Sequence, residues 1–107
     1  MNVNANDTSQ IAAALLSLKN VMDPEIGLNI VDMGLLYELT FDERPKRIQV
    51  LMTLSTRFCP MGESIVEGVT NNLNDRFPGY DVQIQVTFDP PWSYAMISPE
   101  GRNFLNK

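Results

Sequence analysis

Between Ile48 and Leu73 the hydrophobic period changes once, and the change falls at Cys59-Pro60. Before it, Ile48, Val50, Met52 and Leu54 alternate with Arg47, Gln49 and Thr53, the period of a strand with one face buried. After it, Met61, Ile65, Val69 and Leu73 recur at helical spacing, with Val66 widening the stripe and Glu63, Glu67, Asn71 and Asn74 turned to water. Proline holds the residue before it extended and is well tolerated at a first helical position, so the pattern predicts Cys59 at the N-cap and Pro60 opening the helix. The sulfur then faces the free N–H groups of Met61 and Gly62 at the positive end of the helix dipole, where a thiol ionises more easily. A thiolate there serves as nucleophile or metal ligand. A small apolar residue buried at a strand-helix junction is the other reading of the same position.

The pattern on either side extends this unit. Phe77-Pro78-Gly79 stops the helix near Arg76, and Val82, Ile84, Val86 and Phe88 then alternate with Gln83, Gln85 and Thr87 as a strand whose polar face is wet. Strand, crossover helix and strand predict a parallel pair. Upstream, Leu35, Tyr37, Leu39 and Phe41 alternate with Leu36, Glu38 and Thr40, and the polar turn Asp42-Glu43-Arg44-Pro45 makes this run a hairpin with the next. Ile11, Leu15, Leu18 and Met22 mark a first helix over about 8–22, with Asp7-Thr8-Ser9-Gln10 as its cap and Asp23, before Pro24, as its stop. Ile30-Val31-Asp32-Met33-Gly34 reads as an irregular link. The expected fold is two-layer α/β (α+β) of order α-β-β-α-β with a short C-terminal helix, a mixed three-stranded sheet and its helices on one face.

Composition removes several function classes. The 107 residues suit one domain spanning 1–107, with 1–7 expected to be flexible. A net charge of -5 argues against nucleic acid, which is bound through basic surfaces. No apolar run approaches the roughly 18 residues of a membrane span, the opening residues lack a signal-peptide pattern, and one cysteine allows no internal disulfide, so a cytoplasmic protein is expected. The absence of histidine excludes Cys-His and Ser-His nucleophile pairs and the commonest metal ligand.

Two further segments carry chemistry-bearing residues. Asp23-Pro24-Glu25-Ile26-Gly27 is a turn by backbone preference, and it also sets two carboxylates on a rigid loop that could ligate a metal or orient a neighbour. Asp89-Pro90-Pro91-Trp92-Ser93-Tyr94 gathers two prolines, the single tryptophan and a tyrosine into a loop that either closes the core, covers one side of the cysteine site or forms a docking surface. Ser98-Pro99 after it supplies an N-cap and first-turn proline for the terminal helix.

Asp23-Pro24-Glu25, Asn29 to Tyr37, Met52-Thr53-Leu54 leading to Cys59-Pro60, and Asp89-Pro90-Pro91-Trp92 with Met96-Ile97-Ser98 and Gly101-Arg102 together resemble the SufT/PaaD-like domain family of iron-sulfur (metal-sulfur) cluster assembly proteins. The resemblance spans nearly the whole chain, with its motifs in the family's order. It implies a compact α/β domain, a role in maturing cytosolic iron-sulfur proteins, a functional cysteine at Cys59 and a site neighbour at Asp23 and Glu25. Thr56-Arg57-Phe58 departs from the family's Ser-Pro-Gly-like lead into the cysteine, and no cysteine-rich tail of the PaaD branch follows, which points to the cluster-assembly branch.

Ligand counting narrows the mechanism. A two-iron or four-iron cluster normally takes four thiolates, and one cysteine without histidine cannot cage it. Cys59 can give one ligand to a cluster shared between subunits, a homodimer being one such form, or it can hold iron or zinc transiently with Asp23 or Glu25. The expected function is an assembly or transfer factor, with iron-sulfur assembly proteins and apo client proteins as partners and no turnover chemistry. The alternatives are a thiol redox or acyl-transfer enzyme using Cys59, which would lack a resolving cysteine and a histidine base, and a metal-free adaptor with a PaaD-like accessory role.

Overall fold

The computed structural model describes residues 2–5, 8–55 and 62–106. Its elements are β1 (Asn2–Ala5), α1 (Thr8–Leu18), β2 (Met22–Asp23), β3 (Leu28–Asn29), α2 (Ile30–Met33), β4 (Leu36–Glu43), β5 (Lys46–Met52), α3 (Gly62–Arg76), β6 (Asp81–Val86) and α4 (Pro99–Leu105). A single-turn 3-10 helix, Tyr94–Met96, precedes α4. The hairpin β4-β5 is antiparallel and β6 lies parallel to β5 across the α3 crossover, which is the mixed sheet expected from the sequence. Residues 2–5, expected to be flexible, add an outer strand parallel to β4, so the sheet order is β1-β4-β5-β6.

One face of the sheet, bearing Leu39, Phe41, Ile48, Val50 and Met52, is buried against Ile11, Ala14 and Leu18 of α1 and Ile65, Val69 and Leu73 of α3. On the other face Gln49, Gln83 and Gln85 stay exposed. The side-chain alternation of β4 breaks at a bulge between Leu36 and Glu38, so Leu36 and Leu39 both point to the core although they are three positions apart.

Two boundaries differ from the expectation. Helix α1 ends at Leu18, not at Met22. Its last turn tightens, with Asn20 N–H donating to Ser17 O at 3.1 Å and Val21 N–H to Leu18 O at 3.0 Å. Met22 then enters the ribbon β2-β3 and is 48 % exposed instead of joining the apolar stripe. The link after β3 is the helix α2, capped by the Asn29 side chain, which accepts from Asp32 N, and closed by Gly34 at φ 78°. A Cβ at Gly34 would collide with the Met96 carbonyl oxygen, so the left-handed angle and the close approach both select glycine.

Candidate functional site

The loop joining β2 to β3 is built around Asp23. Pro24 presets the turn, Gly27 at φ 80° completes it, and Gly27 N–H donates to Asp23 O at 2.8 Å. The Asp23 carboxylate Oδ1 accepts from Glu25 N–H at 2.9 Å and Ile26 N–H at 3.2 Å, an Asx turn that uses one carboxylate oxygen. The other, Oδ2, is buried and has no hydrogen-bond partner among the described residues, in a residue that is 0 % exposed. Glu25 is exposed and contributes its backbone N–H to Asp23, so the loop does not present two equivalent carboxylates.

A run of backbone hydrogen bonds ties this loop to the end of β5. Ile30 N–H donates to Val21 O, Leu35 N–H to Ile30 O and Thr53 N–H to Leu35 O. Thr53, expected on the wet face of β5, is instead 0 % exposed, because the chain leaves the strand at Met52 and turns inward beside Leu35. It is the other fully buried polar or charged residue among those described. Beyond it, a Cβ on Gly62 would stand 2.7 Å from Leu54 Cδ1, so the first turn of α3 lies against the end of β5. These two anchors flank residues 56–61 in the sequence. Cys59, its N-cap placement, Pro60, Met61 and the Thr56-Arg57-Phe58 lead lie outside the described residues. Among the described residues no three His, Cys, Asp or Glu side chains come together.

The Pro-Pro-Trp loop packs on the core. Trp92 Nε1–H donates to Met33 O at 2.7 Å, Tyr37 Oη–H donates to Pro90 O at 2.7 Å, and the half-buried Trp92 ring meets Tyr94 at 5.4 Å between centroids. Asp32 of α2 holds α4 in place by accepting from Ser98 Oγ at 2.8 Å and from Asn29 Nδ2 at 2.8 Å. The Asn29 bond holds the Asp32 carboxyl below its ordinary pKa, with the Ser98 bond and the Lys19 charge adding to it and burial opposing. The signal for this cluster was the capping pattern of Asn29, Asp32 and Gly34. Alternation put Thr53 outside, and its one signal was its place in the Met52-Thr53-Leu54 stretch of the family resemblance.

Next to the Leu54–Gly62 contact a shallow groove of about 500 Å³ runs between α3 and the end of β6, lined by Leu54, Glu63, Val66, Val86 and Phe88 among others. A carboxylate oxygen without a partner among the described residues thus sits in a hydrogen-bonded turn, linked through backbone hydrogen bonds to the strand that precedes the single cysteine in sequence. That donor fits a cation, since a buried carboxylate oxygen without a hydrogen bond is costly until a positive charge or donor reaches it.

The profile of the family described as "Iron-sulfur cluster assembly protein" matches residues 10–86, from α1 to the end of β6. The chain belongs to that family. Among its relatives, the Fe-S protein maturation auxiliary factor YitW of Bacillus subtilis is 35% identical over 82 residues, 77% of this chain and 79% of the relative. The Fe-S protein maturation auxiliary factor SufT of Staphylococcus aureus is 36% identical over 78 residues, 73% and 88% of the two chains. The crystal structure of a domain of unknown function (DUF59) from Bacillus anthracis superposes with a TM-score of 0.84 at 33% identity, covering 94% of this chain and 98% of that one. These relatives assign the family a general role in iron-sulfur protein maturation. No helix among the described residues is long and apolar enough to cross a membrane.

Proposed function

We propose that this chain is a cytoplasmic iron-sulfur assembly or transfer factor that holds iron, or a cluster in transit, through Cys59 together with Asp23, and passes it to apo client proteins. The observation that carries the reading is Asp23. It is fully buried, its loop is closed by the hydrogen bonds of Glu25, Ile26 and Gly27 to Asp23, and Oδ2 is left without a hydrogen bond among the described residues. Buried polar atoms are mostly paired, and an unpaired carboxylate oxygen calls for a counterpart, a bound ion being one that this loop can take. Cys59 supplies a soft donor in this reading and Asp23 a hard one, while Glu25, exposed on the same loop, is within the chain's means as a further oxygen ligand. So few donors bind incompletely, which suits a carrier that must release its cargo to a client with a fuller ligand set. The family's auxiliary-factor relatives support an accessory role over turnover chemistry.

The test is anaerobic loading of the purified protein with ferrous iron, with and without sulfide, read by native mass spectrometry and visible absorption. Wild type is expected to retain iron or a cluster, Asp23→Asn and Cys59→Ser to retain neither. Wild type that binds no metal under either condition would overturn the carrier reading and leave a metal-free adaptor.

A further inference from the structure

We infer that β6 is the seam of a two-fold homodimer, pairing antiparallel with β6 of a second copy to join two four-stranded sheets into one. Among the described strands it is the free edge of the sheet, and apart from the charge of Asp81 at its start the usual protections of an edge are absent from Asp81-Val82-Gln83-Ile84-Gln85-Val86. It has no proline, lysine, glycine or bulge, and its register with β5 is unbroken over Asp81 to Val86. Val82 and Ile84 on its core side are half-buried and Val86 is 37 % exposed, so among the described residues the apolar layer runs out to the edge.

The backbone selects the register. Thr87 N–H donates to Met52 O at 2.8 Å, which turns the odd-numbered residues of β6 toward β5 and leaves the N–H and C=O groups of Val82, Ile84 and Val86 facing outward. An antiparallel copy satisfies all of them when Ile84 pairs with Ile84 of the second copy on the two-fold axis and Val82 pairs with its Val86. In that register opposite residues share a face, so apolar meets apolar on the core side and Gln83 meets Gln85 on the wet side. Asp81 falls opposite Thr87, and no like charges meet along the strand.

The helices agree with this. Parallel crossover places the first turn of α3, with Glu63, over the C-terminal end of β6, and its last turn, with Arg76, over the other end. The two-fold reverses one copy, so the acidic start of each α3 lies beside the basic end of the other, with the helix dipoles opposed. The groove lined by Val66 and Val86 opens on this same edge and is covered by the second copy.

The two β5 ends, at Met52 beside Val86, then point in opposite directions and lie four residues, about 13 Å, apart along the strands.

The experiment is light scattering of the full chain over a concentration series, combined with disulfide trapping in a Cys59→Ser background. A dimer mass is expected, and Ile84→Pro, which removes the outward N–H at the axis without touching the β5 ladder, should weaken association by on the order of tenfold or more. Because Ile84→Pro could also disturb folding, the register is read separately. Gln83→Cys and Gln85→Cys, both on the wet face, should give a disulfide-linked pair rapidly when mixed and slowly when each is oxidised alone. A monomer at every concentration, or trapping that does not depend on mixing the two variants, would overturn the seam. Metal loading enters neither readout, so this result stands apart from the carrier test.

Discussion

Asp23 combines two roles that a single substitution can separate. Its Oδ1 holds the loop through the Glu25 and Ile26 N–H groups, and asparagine retains that oxygen, while Oδ2 contributes no hydrogen bond to the fold. Removing a buried, half-paired charge therefore leaves stability unchanged or higher. Asp23→Asn is expected to melt at or above the wild-type temperature by calorimetry and to lose iron retention. A fall in melting temperature by several degrees would show that Oδ2 serves the fold. Asp32 behaves in the opposite sense. Its carboxyl is depressed in the folded chain, chiefly by Asn29 and further by Ser98, so it contributes stability that is present above the unfolded value of about 3.9 and is lost as pH falls through the lower folded value. Asp32→Asn should lower the denaturation midpoint near neutral pH and flatten the acid limb below pH about 4, as measured by urea titrations across pH. Parallel acid limbs in the two proteins would remove Asp32 from the account.

At the scale of elements, the period of the apolar residues was sufficient for α3, β5 and β6, and it failed in β4 where the bulge at Leu36 breaks the alternation. Helix α3 ends at Arg76, as the Phe77-Pro78-Gly79 stop predicts, and β5 and β6 follow their alternation. Short elements escaped because local caps and tertiary contacts decide them. Helix α2 is a single turn held by Asn29 and Gly34, and the early end of α1 depends on Met22 and Asp23 finding Leu28 and Asn29 as partners. Gly34 measures how much of this is tertiary. A side chain there meets both the φ of 78° and the Met96 carbonyl, whereas Gly79 at φ 91° has open space around it. Gly79→Ala should cost about 1 to 3 kcal/mol from backbone strain, and Gly34→Ala should cost more, because Met96 and the turn before α4 must move. Equal losses in chemical denaturation would mean that the Met96 turn yields freely.

Across the whole molecule, the features of the site that alternation could not reveal are those made by chain crossings. Sequence placed Asp23 in a turn, but its burial follows from the ribbon β2-β3 being stitched through Ile30 and Leu35 to Thr53. The sequence showed the Pro-Pro-Trp loop as a rigid aromatic segment, and its docking on α2 through Met33 emerges only in the fold. The Trp92 hydrogen bond joins the tail to α2 through Met33, while Tyr37 of β4 holds the same loop through Pro90, so truncating Trp92 weakens the frame.

That role in the frame gives a test of fold against function in the cell. Trp92→Ala removes a half-buried aromatic side chain and leaves Met33 O without its donor, a loss of about 3 kcal/mol, the lower end of the range for large aromatic truncations. Against a total stability of roughly 5 to 15 kcal/mol such a loss depletes the soluble protein. Cys59→Ser, in contrast, keeps a small side chain competent to cap a helix while removing the soft ligand. In a strain lacking its own maturation factor of this family, both variants are expected to leave an iron-sulfur reporter enzyme inactive, but for different reasons. Immunoblots should show Cys59→Ser at the wild-type level and Trp92→Ala several-fold lower, and raising Trp92→Ala expression should restore the reporter whereas raising Cys59→Ser should not. Full rescue by Cys59→Ser at its normal level would take the thiolate out of the mechanism and shift the function to the surfaces around Asp23 and the Pro-Pro-Trp loop.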